Sequence, residues 1–387
     1  MFGKTIVLFA CACVLATAGA APHIPASGGQ VLERLPGGLA PARRELQGLR
    51  AALAAKPDDL TLATTLAQRY IEQSRRDGDP RYLGYAQAAL APWWSQPQPP
   101  SPVLVLRATL RQSTHQFGTA LTDLDAVLKR DSGNSQAWLT RATVQLITGD
   151  FAGARTSCMR LYSRAPELVV QACLSSVGSI SGQAGASYER LRQTYLARSD
   201  SPPALRAWVA TLLGEMAARL GRFDQAESHY REALALDASD SYLLGAYADF
   251  LLERGRAPEV IALLKDKTQA DALLLRYAIA LKNAKAAGAA QASAELAARF
   301  DAAMRRRDSV HQREQARFEL ALRGDTAAAV RLAKLNWAVQ KEPADLRILA
   351  QTAAASKDPE AAAIVRDWIK TSKIEDVSLA ARPGDKA

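Results

Sequence analysis

Histidine is scarce: four in 387 residues, with His23, His115, His229 and His311 far apart along the chain. Catalytic and metal sites gather histidine, cysteine and carboxylates at short fixed spacings, and neither an H-E-x-x-H pattern nor a Cys/His knuckle occurs here. A Gly-rich phosphate loop followed by Lys-Ser/Thr is also missing. Residues 178–182 only imitate a nucleophile elbow, because Ile180 stands at the centre and no strand precedes it. These absences argue against an enzyme and against a bound metal or cofactor. Aromatics make up 6% of the chain, and Val/Ile/Thr runs alternating with polar residues are nearly absent, which argues against a β-rich fold.

Long apolar runs are lacking too. None after the first twenty residues is long and uncharged enough to span a bilayer, so no transmembrane segment is expected. The first twenty differ from the rest: Lys4 is their only charge, 6–16 is apolar, and Ala18-Gly19-Ala20 offers a small-x-small cleavage site. This reads as a signal peptide over 1–20, and the mature protein is expected to be periplasmic or secreted. Cys11 and Cys13 lie inside the apolar stretch and leave with it, which disfavours an acylation or metal role. Residues 21–41, rich in Pro, Gly and Ala, read as a flexible linker, and 373–387, with Arg382-Pro383-Gly384, as a frayed tail.

What is abundant is alanine and leucine, in amphipathic stretches that predict an all-α chain. Arg107-Ala108-Thr109 recurs as Arg141-Ala142-Thr143, 34 residues on, and the same shift lays Phe117 on Phe151 and Ala120 on Ala154. Trp138, Ala142, Gly149, Ala154 and Pro166 mark one unit. Leu213, Gly214, Gly221, Ala226, Tyr230 and Ala233 mark another, with Gly221-Arg222-Phe223 as the turn between its helices. Weaker hairpins are read at 60–73 with 81–90, 242–252 with 258–265, 270–282 with 291–304, 312–322 with 326–340, and 344–355 with 360–370. Asp79 is expected to cap the helix that Pro80 opens. The Pro202-Pro203 pair suggests a hinge between hairpins over 42–198 and hairpins over 204–372.

On this period and these positions the chain resembles the tetratricopeptide repeat family. The resemblance implies a tetratricopeptide-like α-solenoid of antiparallel hairpins, coiled as a right-handed superhelix that binds protein segments on its concave face. The stretches 78–90 and 342–347 are similar to exported tetratricopeptide proteins of Gram-negative bacteria, which implies a periplasmic location and supplies no activity.

Carrying the family's groove positions onto this register selects Val105, Thr109, Gln112, Leu139, Thr143, Trp208, Thr211, Glu215, Tyr242 and Asp249. The set lacks a Lys/Asn/Arg clamp for a peptide carboxylate. Arg107 and Arg141, equivalent by period, either form a ladder for acidic segments or pair internally with carboxylates such as Asp123 and Asp125. Trp93 and Trp94 either cap the first hairpin or stand exposed for glycan.

Cys158 and Cys173 lie symmetrically about the turn at Ala165-Pro166, which predicts a disulfide in an oxidising compartment; two reduced, buried cysteines are the alternative. Net charge is +10. Export disfavours nucleic acid as the target, and contact with an anionic envelope surface stays open. The cluster Arg305-Arg306-Arg307 reads as a solvated helix face. The sequence thus points to a scaffold binding a protein or peptide partner. A component of an envelope assembly or polysaccharide-export machine is the nearest alternative, and an enzyme or glycan-processing accessory a more distant one.

Overall fold

The computed structural model describes residues 41–306 and 311–379. The expected signal peptide, most of the linker, Arg307 and residues 380–387 lie outside the described residues. By internal packing the chain divides after Glu45, and the helical array is the unit Leu46–Ala387. Among the described residues every regular element is helical.

Helix α1 (Pro41–Ala55) leads into α2 (Leu60–Asp77), α3 (Arg81–Ala89) and the one-turn α4 (Ala91–Trp94). Antiparallel pairs follow: α5 (Ser101–Ser113) with α6 (Phe117–Arg130), α7 (Ser135–Thr148) with α8 (Phe151–Met159), α9 (Glu167–Ser179) with α10 (Ala184–Ala197), and α11 (Pro203–Arg219) with α12 (Phe223–Leu236). The array continues through α13 (Ser241–Glu253) and α14 (Ala257–Leu264), then α15 (Asp271–Asn283) and α16 (Ala289–Arg305). It ends with α17 (Gln312–Phe318), extended by a π-turn over Glu319–Arg323 and paired with α18 (Thr326–Val339), and with α19 (Pro343–Ser356) beside α20 (Pro359–Ser372).

The starts are set by short acceptors. Asp59, Asn134, Asp150, Asp240, Asp325 and Asp358 each take a backbone N–H three residues ahead, satisfying donors that the helix leaves open. At the opening of α3 the cap position falls on Pro80, with helical backbone angles and no side-chain cap, while Asp79 Oδ1 accepts from Arg81 N at 3.0 Å.

Small residues stand where paired helices cross. Ala108, Ala120, Ala142 and Ala154 are at most 2% exposed. A Cβ on Gly214 would sit 2.9 Å from the Tyr230 ring, so only glycine lets α11 approach α12 this closely. Small residues at the crossing, an aromatic beside them and a tight turn are the tetratricopeptide-like arrangement, and the fold is a tetratricopeptide-like α-solenoid. The apolar cluster beneath α9 to α15 is continuous from Leu168 to Ala280 and runs across the 199–203 connection. Trp93 and Trp94 pack, half-buried, against the first hairpin's core. The sulfurs of Cys158 and Cys173 lie at bonding distance, joining the end of α8 to α9 with Cα atoms 5.6 Å apart.

Within this unit the array also touches itself out of sequence order. Ser241 Oγ, at the start of α13, donates to the Arg76 carbonyl of α2 at 2.7 Å. Lys341 N donates to the Ile147 carbonyl of α7 at 2.7 Å. The Trp368 ring of α20 lies over Gly149, with centroids 5.8 Å from Phe151 and 5.2 Å from Trp337. Leu146, Phe151 and Ile180 thereby join the apolar cluster of α17 to α20.

Candidate partner-binding surface

The two period-related arginines are engaged internally, as one of the two sequence alternatives had it. Arg107 is 9% exposed; its Nε and Nη2 donate to Asp123 Oδ2 and Oδ1 at 2.9 and 2.7 Å, and Nη1 reaches the Trp94 carbonyl. Arg111 donates to the same carboxylate at 2.7 Å. Arg141 donates through Nε to Asp125 and through Nη1 to Ser157 Oγ, both at 2.9 Å. Each guanidinium fork is spent inside its own or the neighbouring hairpin, and no ladder faces outward.

The remaining positions divide. Thr109 and Thr143 turn their hydroxyls to the carbonyls of Val105 and Leu139 four residues back, each at 3.0 Å, and buried Thr211 does the same with Ala207 at 2.8 Å. Val105 is buried in the core, while Leu139 and Trp208 are half-buried against neighbouring apolar clusters. Glu215, Tyr242 and Asp249 come together on the inner faces of α11 and α13, lining a cavity of about 260 Å³ closed on its far side by Arg313, Glu342 and Arg347. Gln112 lines an adjoining space of about 360 Å³ with His115, Asp271 and Gln340, the two sharing Arg313, Glu314 and Glu342. What the sequence presents as an open groove is therefore faced by α17 and α19 of the same chain.

This interior is densely charged and largely self-compensated. Arg276 donates to Asp249 at 2.6 Å and Arg317 approaches its other oxygen. Burial opposes ionisation of Asp249, but these two guanidiniums overcome it and hold the carboxyl below its ordinary range. Glu314 behaves alike: burial is outweighed by Arg313 and Arg276, and its pKa falls to about 2. Glu342 lies 3.1 Å from Arg313, yet burial prevails and pushes it up to about 7. Burial also raises Glu215, which accepts from Tyr242 Oη at 2.7 Å, and Glu253, which accepts from Arg347 at 2.8 Å. Tyr242 lines this space, and the Glu215 carboxylate beside it holds its phenol protonated, well above the ordinary tyrosine range. Among the described residues no cluster of His, Cys, Asp and Glu is arranged to hold a metal ion, and no helix is long and apolar enough to cross a membrane.

Sequence reasoning missed one feature. Residues 373–379, read as the start of a frayed tail, lie docked along the turn edge of α9 to α12. Glu375 accepts from Ala184 N at 3.0 Å, and Val377 N donates to the Arg219 carbonyl at 2.9 Å. The available signal was the run Ile374-Glu375-Asp376-Val377, two carboxylates between two apolar residues in a stretch otherwise read for its breakers.

No family model matches the chain, and no curated protein matches it in sequence. Among solved structures it is similar to a tetratricopeptide repeat protein from Parabacteroides merdae at 13% identity, covering 79% of this chain and 98% of that one, with a TM-score of 0.37. A monomeric mutant of IFIT1 with Gppp-AAAA is 15% identical over 86% of this chain and 84% of that one, at 0.43. The yeast Tom70 structure is 12% identical over 86% and 90%, at 0.32. At these values the likeness carries no functional inference, and the tetratricopeptide-like fold rests on the crossings and turns described above.

Proposed function

We propose that this protein is an exported binding scaffold and not an enzyme, and that it holds an extended segment of a protein partner against the inner side and turn edge of its helical hairpins. One observation carries the reading: open backbone groups at the start of α10 and the end of α11 are completed by residues 373–379, through the Glu375 carboxylate and the Val377 N–H, the way a bound peptide would complete them. The charged cavity beside it, with Tyr242, Glu215 and Asp249 in its wall, adds a polar, sterically limited space that accepts side chains but not a folded domain.

The signal-peptide pattern over 1–20 supports a periplasmic or secreted location, and an oxidising compartment of that kind favours a covalent Cys158–Cys173 bridge. Mass spectrometry of the protein recovered from the envelope fraction is expected to find Ala21 as its first residue; an intact Met1 in that fraction would sink the export reading.

The functional test is crosslinking in the native compartment followed by mass spectrometry, with Tyr242→Ala as the paired control. A defined protein enriched by the natural chain and depleted by the variant is the expected result. If no protein rises above an unrelated exported control, and a small molecule instead stabilises the chain thermally and is converted, the scaffold reading fails.

A further inference from the structure

Helix α20 ends at Ser372, and Lys373 turns the chain away with a φ of 57°, a left-handed conformation that few residues other than glycine adopt readily. Four residues then pack in two directions, Ile374 and Asp376 toward α17 to α20 and Glu375 and Val377 onto the middle hairpins. Ile374 is 8% exposed within the apolar cluster of α17 to α20. The Glu375 carboxylate receives the N–H of Ala184, the first residue of α10, whose own cap residue Gln183 makes no side-chain bond. A carboxylate is the group that a helix N-terminus favours. Val377 gives its N–H to the carbonyl of Arg219, the last residue of α11, where the helix leaves acceptors open. A Cβ built on Gly221 would lie 3.4 Å from the Val377 side chain, an ordinary van der Waals contact.

Between these contacts the Asp376 side chain is 1% exposed, with Arg347 Nε 3.9 Å from Oδ2. Its Oδ1 is used within the segment's own turn, by Ser378 N at 2.9 Å and Ser378 Oγ at 2.6 Å, while Oδ2 is buried with no hydrogen-bond partner. A buried carboxylate oxygen without a donor is an imperfect fit. Glu375, Val377 and Ser378 are exposed on their outer sides, so the segment lies on the hairpins and not beneath them. Two hydrogen bonds to the hairpins, one long charge contact, buried Ile374 and half-buried Leu379 hold it there. Such a segment belongs to the low-stability end of a fold.

We propose that the start of α10, the end of α11 and Arg347 form a peptide-binding site, that residues 374–379 are its displaceable occupant in cis, and that its ligand in trans is a short acidic segment of a partner protein. The segment's chemistry is given by the occupant: an apolar residue, two carboxylates and a second apolar residue, the first carboxylate for the α10 N-terminus and the second toward Arg347. The basic balance of the chain, +10, favours the approach of such a segment. This assignment rests on the scaffold reading and names the class of partner for it.

The probe is a fluorescein-labelled synthetic peptide spanning residues 371–380, titrated by anisotropy into the natural chain and into the double variant Glu375→Lys/Asp376→Lys, whose own segment is repelled from both contacts. Occupancy in cis lowers the fraction of chains competent to bind, so the variant is expected to bind at least about tenfold more tightly than the natural chain. A peptide carrying the same two lysines is expected to bind neither. A variant with unchanged circular dichroism and melting temperature that ignores the unsubstituted peptide overturns the proposal.

Hydrogen exchange on the natural chain gives a reading that does not depend on the variant folding. The Val377 amide is expected to exchange through an opening that leaves the α20 amides protected; equal protection of the two makes the segment integral to the fold and overturns the proposal. A partner captured by crosslinking but not displaced by the peptide also overturns it, while leaving the scaffold reading intact. Peptide binding with no partner captured does the reverse.

Discussion

Asp123 carries two guanidiniums at a side-chain exposure of 5%. Removing one member of a buried pair strands the other, at a cost of about 3 kcal/mol or more, so Asp123→Ala is expected to lower the urea midpoint sharply. Arg141→Ala is expected to cost less than Asp123→Ala, because Asp125 is 60% exposed and regains water while Ser157 keeps its bond to Gln145. Equal losses would show that the recurrence of Arg107 and Arg141 reflects equal roles after all. On the same ground a charge reversal at Arg107 is expected to disrupt folding.

Glu342 predicts a pH effect. Its carboxyl rises from an ordinary value near 4.5 to about 7, so between those limits the folded state binds more protons than the unfolded one. Stability contributed at this residue therefore falls as pH rises through that window. Glu342→Gln is expected to melt with the natural chain near pH 5 and above it near pH 8; a parallel pair of curves would place the burial cost elsewhere. At this scale the sequence was legible in part. It marked the period that makes Arg107 and Arg141 equivalent, but the choice between outward ladder and internal pair depends on which helix faces Asp123, and spacing alone does not set that.

Helix pairs were the most legible level, because aspartate and asparagine caps, turn glycines and the apolar period all act within a few residues. The Cys158–Cys173 geometry came from the same local symmetry about a turn. A 15-residue closure is worth up to about 3 kcal/mol on the chain-entropy view. Reductant is accordingly expected to lower the melting temperature of the natural chain and to leave Cys158→Ser/Cys173→Ser unmoved. Harder to read was the docking of elements far apart in sequence, and two turn glycines separate the two causes. Gly149 has φ 86° and Gly255 φ 71°, so alanine at either meets a backbone penalty of about 1 kcal/mol. Only at Gly149 would the new Cβ also collide with Trp368, at 2.6 Å; nothing lies within 4 Å of Gly255. Gly149→Ala is therefore expected to be clearly the more damaging in urea, and equal losses would mean that Trp368 yields without cost.

An open solenoid is stabilised by each repeat and its immediate neighbours. Here the contacts of Arg76 with Ser241, Ile147 with Lys341, and Arg219 with Val377 add ties between repeats distant in the chain. Trp368→Ala is expected to loosen one such tie: amides around the α7–α8 turn should exchange faster although the substitution lies more than two hundred residues away in sequence. The sequence could not show this, since each hairpin signals only its own crossing, and the number of hairpins that brings the last back to an earlier one is a sum of small rotations.

Arrays of this architecture grow and shrink by whole units, because a new unit needs only a matching face on either side. In this chain, closure turns the number of units into a fixed quantity. One hairpin inserted between α12 and α13 would carry Trp368, Lys341 and Val377 past Gly149, Ile147 and Arg219, and these ties across the interior would be lost together. The molecule thus counts its own repeats, and copy number is subject to the same stereochemical selection as a core side chain.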